Sequence, residues 1–146
     1  MLRISKLTDY GIVLLAQFAQ LPPGGTQNAR EMAEATQLPF PAVGKVLKTL
    51  GQAGLLESHR GAKGGYSLAR PPEEISVASI IEALEGPIAL MECSAGPGHC
   101  DQERICRVRA PWQRIHSAIQ ATLLDVTLAS LAKTPTSPAR GELHHV

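Results

Sequence analysis

Aromatic side chains are scarce in this sequence: two Phe, two Tyr and one Trp make up 3% of its 146 residues. A chain of this length can bury a core of its own, and we expect that core to be aliphatic. The sequence has no apolar run long enough to span a bilayer. Its first residues, MLRISKLTDYG, lack the apolar stretch and cleavage site of a secretory signal. We therefore expect a cytoplasmic protein with no membrane partner.

Motifs of several enzyme classes are also missing. The sequence contains no H-E-x-x-H pair and no recognisable pairing of a nucleophile with a base. The stretch RGAKGG at residues 60–65 could cradle a phosphate in isolation, but no helix is predicted directly after it, as a nucleotide-binding loop requires. We therefore expect that the protein is not an enzyme.

Cysteine is absent outside one short segment, which holds Cys93, Cys100 and Cys106. In a reducing compartment, clustered cysteines indicate metal or redox chemistry rather than a disulfide framework. Their spacing is too wide for a zinc ribbon and lacks the C-x2-C-x2-C run of bacterial ferredoxins. Thiolates nevertheless favour zinc, copper(I) or iron–sulfur clusters. Three unliganded thiols and a reversible thiol switch are the alternatives.

A tetrahedral site on three thiolates needs a fourth ligand from elsewhere in the chain. The residues leave several candidates open, three of them near the cysteines and one remote: His99, Asp101, Glu103 and Asp9.

Positive charge is concentrated in residues 41–70, although the net charge of the whole chain is only +1. This block has a single acidic residue, Glu57, and five basic ones: Lys45, Lys48, Arg60, Lys63 and Arg70. A short basic block in a near-neutral chain indicates either a localised anionic partner or a solvated basic face.

Apolar residues at helical spacing predict helices over residues 6–21, 28–35 and 41–53. The second and third are joined by the tight turn TQLPFP, which is the arrangement of a helix-turn-helix. Gln37 stands at the turn position that often carries Gly. Two helices that pack for structural reasons alone would give the same pattern.

Two short β segments, residues 55–59 and 66–69, follow the third helix and flank a Gly-rich tip. This pattern predicts a hairpin with Arg60 and Lys63 at its tip, where a two-stranded wing can reach phosphates or a minor groove. A hairpin directly after a helix-turn-helix makes a winged helix, so the expected fold class is mainly α (α+β).

The sequence as a whole predicts four consecutive regions. They are a winged helix-turn-helix domain over 1–86, a cysteine-containing loop over 87–109, a long helix over 110–133 and a disordered tail over 134–146. The long helix carries a wide apolar stripe that includes Trp112, Ile115, Ile119, Leu123 and Leu128. Such a stripe indicates docking on a partner subunit or packing back on the same domain.

Three stretches together resemble the bacterial winged-helix regulators that include IscR and NsrR. They are RISKLTDYG near the start, the wing HRGAKGGYSLAR, and the three cysteines after IIEALEGP. The resemblance covers roughly residues 1–131 and is strongest to the branch described as regulators of SUF-type iron–sulfur cluster assembly.

The resemblance implies a homodimer in which the long helices cross and two winged helices bind a palindromic double-stranded DNA operator. It also implies an iron–sulfur cluster on the three cysteines, which we expect to be of the 2Fe–2S rather than the 4Fe–4S type. Relatives take the fourth ligand from a histidine near the cysteines or from an acidic residue near the N-terminus. The histidine position holds Arg109 and Ala110 here, whereas the acidic position matches Asp9, which the partner subunit would supply.

For DNA contacts, the resemblance implies Lys45 and Lys48 on the recognition helix, together with Arg60 and Lys63 on the wing. Tyr66 is expected to pack beneath the hairpin. The expected function is a transcriptional regulator, a repressor of iron–sulfur cluster assembly genes, that senses iron–sulfur status through its cluster. The alternatives are a regulator of the same fold that senses nitric oxide or thiol oxidation, and a zinc-stabilised interaction module.

Overall fold

The first helix begins at the predicted residue and ends two residues before the predicted end. The structure, a computed structural model, describes residues 4–133, and helix α1 spans Lys6–Ala19. The side-chain oxygen of Ser5 accepts a hydrogen bond from the amide of Thr8 at 3.3 Å, which satisfies one of the free donors of the first turn. One face of α1 is buried and contributes Leu14, Leu15 and Phe18 to the core.

The predicted helix-turn-helix is present. Helix α2 spans Ala29–Thr36 and is capped by Asn28, and helix α3 spans Phe40–Gln52. Between them, Gln37 adopts the left-handed conformation with φ 60°, which is the position where Gly was the expected residue. The chain therefore makes the tight turn without the glycine.

The predicted wing is a two-stranded antiparallel hairpin. Strand β1 spans Leu56–His59 and β2 spans Gly65–Leu68, with Leu56 opposite Leu68 and His59 opposite Gly65. Helix α4 follows at Val77–Glu85 and is capped by Ser76. The described residues are thus mainly helical with one small sheet, which confirms the predicted fold class.

One aliphatic core joins these elements, and it contains a single aromatic residue that is fully buried or nearly so, Phe18. Its members come from α1, α2, α3, the wing, the segment before α4, α4 itself and the last described helix: Leu14, Leu15, Phe18, Met32, Val43, Val46, Leu47, Leu50, Leu55, Leu56, Ile75, Ile80 and Leu128. Each large aliphatic side chain removed from water contributes about 1.5–3 kcal/mol.

The prediction of one long helix over 110–133 is wrong in its second half. Helix α5 spans Arg109–Asp125, and a separate short helix, α6, spans Leu128–Ala132. The break has a local cause, because Thr127 caps α6 by accepting a hydrogen bond from the amide of Ser130 at 3.2 Å.

Contacts with the segment before α4 reinforce this break. The carbonyl of Val126 accepts the amide of Val77 at 2.9 Å, and the amide of Leu128 donates to the carbonyl of Ile75 at 2.8 Å. The side chain of Leu128 is 0% exposed. The chain therefore folds back after α5 and completes the core of the winged helix-turn-helix domain.

Helix α5 itself buries no residue completely. It packs against α4, and Trp112, Ile115 and Leu124 remain exposed at different positions around the helix. The apolar stripe that the sequence predicts is only partly covered within this chain: Ile119 and Leu123 are half-buried, and Leu128, in α6, is fully buried.

Between α4 and α5, residues 87–108 form what we call the cysteine loop, which contains one turn of 3-10 helix at Glu92–Ser94. The predicted disordered tail, 134–146, lies outside the described residues. Among residues 4–133, no helix has both the length and the apolarity to cross a membrane.

Candidate DNA interface and cysteine loop

Helix α3 buries one face and exposes the other. Val43, Val46 and Leu47 lie in the core, whereas Lys45 and Lys48 are exposed on the opposite side. Neither lysine has a carboxylate partner among residues 4–133. Both cations are therefore available to an external anion such as a DNA phosphate.

The wing presents its two predicted basic residues at its tip. Arg60 and Lys63 are exposed in the turn between the strands, which is closed by a hydrogen bond from the amide of Gly64 to the carbonyl of Gly61 at 2.9 Å. Within the hairpin, His59 Nε2 lies 2.7 Å from the hydroxyl of Ser67. The wing and α3 together carry all four predicted DNA-contact residues on exposed positions.

A contact that the sequence reasoning missed anchors the wing to the segment before α2. Gln27 exchanges two backbone hydrogen bonds with Tyr66, at 2.8 and 3.0 Å. Gly65, with φ 150°, lies so close to this segment that a Cβ would meet the Gln27 backbone at 2.6 Å. A glycine is required here by this close approach, and the pair of glycines at the end of the wing tip was the only signal in the sequence.

Tyr66 packs beneath the hairpin, as predicted. It is half-buried against the core, and its ring lies 3.5 Å from the position that a Cβ on Gly51 would take. The ring thus packs the wing against the last turn of α3.

All three cysteines lie in the cysteine loop, half-buried and unpaired. Cys93 is in the 3-10 turn, and the amide of Cys106 donates to the carbonyl of Gln102 at 2.9 Å. Three free thiols on one loop have the donor chemistry that zinc or an iron–sulfur cluster requires.

The loop does not bring these donors together in this conformation. Within residues 4–133, no three His, Cys, Asp or Glu side chains lie close enough to hold a metal ion. Asp9 is exposed in the first turn of α1 and is not part of such a group. The donor set fits a thiolate-bound metal or cluster, but the loop would have to close for one chain to form the site.

Glu103, one of the candidate fourth ligands, is already engaged. One carboxylate oxygen accepts the amide of Gly98 at 2.7 Å, and the other lies 2.8 Å from the guanidinium of Arg109. Arg109 occupies the position where the resemblance places a histidine. The two residues therefore latch the middle of the cysteine loop to the first turn of α5, while His99 and Asp101 are exposed.

An open pocket of ≈ 470 Å³ lies beside this latch. It is lined by one thiol, two carboxylates and two guanidinium groups together with a glycine: Gly98, Cys100, Asp101, Glu103, Arg104 and Arg109. Cys100 is thus the one cysteine that lines it.

A second connection that the sequence reasoning missed joins the start of α1 to the end of α4. The carboxylate of Glu85 accepts the amide of Ser5 at 2.6 Å and the hydroxyl of Thr8 at 2.8 Å. The hydrogen bonds from Ser5, and then that from Thr8, hold the pKa of Glu85 below its ordinary value. Leu84 also lies directly against Gly11, where a Cβ would displace the end of the Leu84 side chain.

Known proteins are similar to this chain over most of its length. The family model Rrf2, described as an iron-dependent transcriptional regulator, matches residues 4–134. The transcriptional repressor NsrR of Streptomyces coelicolor is 30% identical over 138 residues, which cover 94% of this chain and 93% of that protein. The transcriptional regulator CymR of Bacillus subtilis is 31% identical over 131 residues, 90% of each chain.

Solved structures of related proteins also match this chain. The structure of CymR (YrzC), the global cysteine regulator of B. subtilis, matches with a TM-score of 0.72 and 32% identity over 90% of this chain and 97% of that chain. T. potens IscR matches with a TM-score of 0.69 and 30% identity over 90% and 87%. These relatives confirm the resemblance to IscR and NsrR regulators, and they are transcriptional regulators rather than enzymes. The chain belongs to the Rrf2 family of transcriptional regulators.

Proposed function

We propose that this DNA-binding regulator represses iron–sulfur cluster assembly genes and senses iron–sulfur status through a cluster on Cys93, Cys100 and Cys106. The observation that carries the proposal is the cysteine loop, which holds three unpaired, half-buried thiols between α4 and α5. A 2Fe–2S cluster suits thiolate ligands. A bound cluster would make the state of the protein depend on iron, sulfide and oxidant, because these decide whether the cluster is present.

Asp9 is our proposed fourth ligand. Its carboxylate is exposed on α1, whereas both oxygens of Glu103 are occupied by Gly98 and Arg109. If Glu103 became a ligand, the loop would lose its contacts with Gly98 and Arg109. Asp9 forms no ion pair among residues 4–133, and in a homodimer it could be supplied by the second copy.

The chain's own contacts offer a route from the cysteine loop to α3. Drawing the three thiolates together would pull on residue 86, which directly follows Glu85. Glu85 accepts hydrogen bonds from Ser5, the cap of α1, and from Thr8 in its first turn, and α1 packs on α3. A shift at the start of the loop would therefore reach the recognition helix through two packed helices.

We also propose a homodimer formed through α5. Its exposed Trp112 and Ile115 are three residues apart and therefore neighbours on the helix surface, where a second copy would cover them. Two winged helices would then match a two-fold symmetric operator. Light scattering after gel filtration should give the mass of two chains, and Ile115→Glu should reduce it to that of one.

Anaerobic purification tests the sensing proposal. The protein should be coloured, with thiolate-to-iron absorption and about two irons per chain. Replacing all three cysteines by alanine should abolish the colour and change DNA affinity. A wild-type protein that stays colourless after reconstitution with iron and sulfide would overturn the cluster.

The pocket beside Cys100 favours one second candidate, a regulator that responds to nitric oxide or thiol oxidation. Small reactive molecules can reach this thiol through the open pocket flanked by Arg104 and Arg109. Comparing operator binding after nitric oxide exposure and after iron depletion separates the two signals. Metal analysis of the purified protein tests the zinc-stabilised module, which would contain zinc in place of iron.

A further inference from the structure

The first turn of α3 has an unusual surface. Phe40 is its first residue and is 51% exposed, although Phe is normally buried. It is preceded by Pro39 and followed by Pro41 and Ala42. None of these side chains can donate or accept a hydrogen bond.

This apolar turn lies at the end of α3 that faces DNA in a helix-turn-helix. In that motif, the N-terminal residues of the second helix contact base edges in the major groove. Lys45 and Lys48 follow on the exposed side of the same helix and can neutralise the flanking phosphates. The cations would thus position the helix, while its apolar end meets the bases.

Space around the ring is open. Gly44 is one turn after Phe40, and apart from its chain neighbours and the backbone of α3 itself, no atom of residues 4–133 lies within 4 Å of the position that a Cβ on Gly44 would take. No large side chain therefore covers the ring from the next turn. The ring and the bare backbone beside it form a surface that can approach a base edge closely.

The major groove offers one apolar group for such a surface, the C5-methyl of thymine. We infer that Phe40 is a specificity-determining residue that selects A·T base pairs by contact with thymine methyl groups. The inference rests on the proposed role of α3 as the recognition helix. It assigns sequence readout at this turn to apolar contact rather than to hydrogen bonds.

The experiment begins by selecting bound duplexes from a random library with the full-length wild-type protein. In the selected duplex, each thymine is then replaced singly by deoxyuridine, which removes only the methyl group. Binding is measured for wild type, Phe40→Ala and the matched control Val13→Ala, which truncates an exposed apolar residue outside α3.

For wild type and Val13→Ala, at least one deoxyuridine in each half-site should weaken binding about fourfold, the factor expected for one buried methyl-sized group. For Phe40→Ala, the thymine and deoxyuridine duplexes should bind equally. Thermal unfolding checks that Phe40→Ala folds. If that variant does not fold, Phe40→Leu, which keeps an apolar contact at this position, is measured in its place.

Three results would overturn the inference. Deoxyuridine could have no effect at any position, or it could weaken wild type and Phe40→Ala equally, as for a ring wedged between base steps. Selected duplexes could also lack thymine in the half-sites. Failure to select any duplex is a different result, because it contradicts DNA binding itself and takes the inference with it.

Discussion

The carboxylate of Glu85 accepts a hydrogen bond from the hydroxyl of Thr8 at 2.8 Å, across 77 residues of sequence. Thr8 is fully buried, and the same carboxylate oxygen accepts the amide of Ser5. The residue after Glu85 leads into the cysteine loop, and the residue after Thr8 is Asp9, the proposed fourth ligand. The start of the cysteine loop and the residue next to Asp9 are thus joined through the carboxylate of Glu85.

Removing the Thr8 hydroxyl should weaken this junction. Thr8→Val keeps the shape of the buried side chain, and we expect a loss of about 1–2 kcal/mol in the free energy of unfolding, because a bond to a charged group is lost. Urea unfolding measures it. Thr122→Val is the control, since its exposed hydroxyl bonds only to its own helix, and an equal loss in both variants would contradict the assignment.

The contribution of Glu85 should depend on pH. Its folded pKa lies below the ordinary value of 4.5, because Ser5 and Thr8 donate hydrogen bonds to the ionised form. The folded state therefore binds the proton less readily than the unfolded state, and the stabilisation is complete above pH 4.5. It disappears as the pH falls through the folded pKa.

Urea unfolding of wild type and Glu85→Gln across this range checks the sign. The stability difference between them should be constant near neutral pH and should shrink in acid. A difference that grows as the pH falls would show that the carboxylate is not stabilised in its ionised form.

Leu128 should be essential for the DNA-binding domain even though it follows the long helix. Leu128→Ala removes a fully buried side chain and should cost about 2–5 kcal/mol. Leu131→Ala, in the same short helix but exposed, should change stability by no more than about 0.5 kcal/mol. Equal losses would mean that α6 does not fold back onto the core.

The latch between Glu103 and Arg109 should affect the loop more than the whole fold. The pair is partly exposed, so Glu103→Gln should cost only about 0.2–1 kcal/mol in global stability. The amide of Gly98 loses its charged acceptor, and hydrogen exchange in the cysteine loop should become faster. Unchanged exchange at residue 98 would contradict the latch.

Basic residues on α3 and the wing should contribute to DNA affinity through phosphates. Lys45→Ala and Arg60→Ala should each weaken binding and reduce the slope of log affinity against log salt by about 1. Fluorescence anisotropy at several salt concentrations measures both quantities. Lys133→Ala, an exposed cation beyond α6, serves as the control and should leave the slope unchanged.

Local signals in the sequence were sufficient for most of the fold. Apolar spacing predicted three helices, which the structure contains as α1, α2 and α3, and two β segments around a Gly-rich tip predicted the wing. The break at Thr127 was missed because the apolar stripe continues through it. Its capping signal is local, but the backbone pairing that reinforces it is with residues 75–77, about 50 residues earlier.

The candidate site could be predicted only in part. The cysteines and the basic residues are recognisable by type and spacing, and all lie in the predicted loop, helix and wing. Glu85 gave no signal, because its partners are 77 and 80 residues away and nothing in its own helix indicates them. The engagement of Glu103 by Arg109 likewise depends on how the loop folds over α5.

Footprinting on genomic DNA under anaerobic conditions tests the central claim most directly, by comparing the wild-type protein with the variant in which Cys93, Cys100 and Cys106 are all alanine. Our account predicts that the wild-type protein protects two-fold symmetric sites at moderate salt and that the variant binds the same sites with an affinity changed at least tenfold. Identical footprints and affinities for the two proteins, or the absence of any footprint from both, would contradict it.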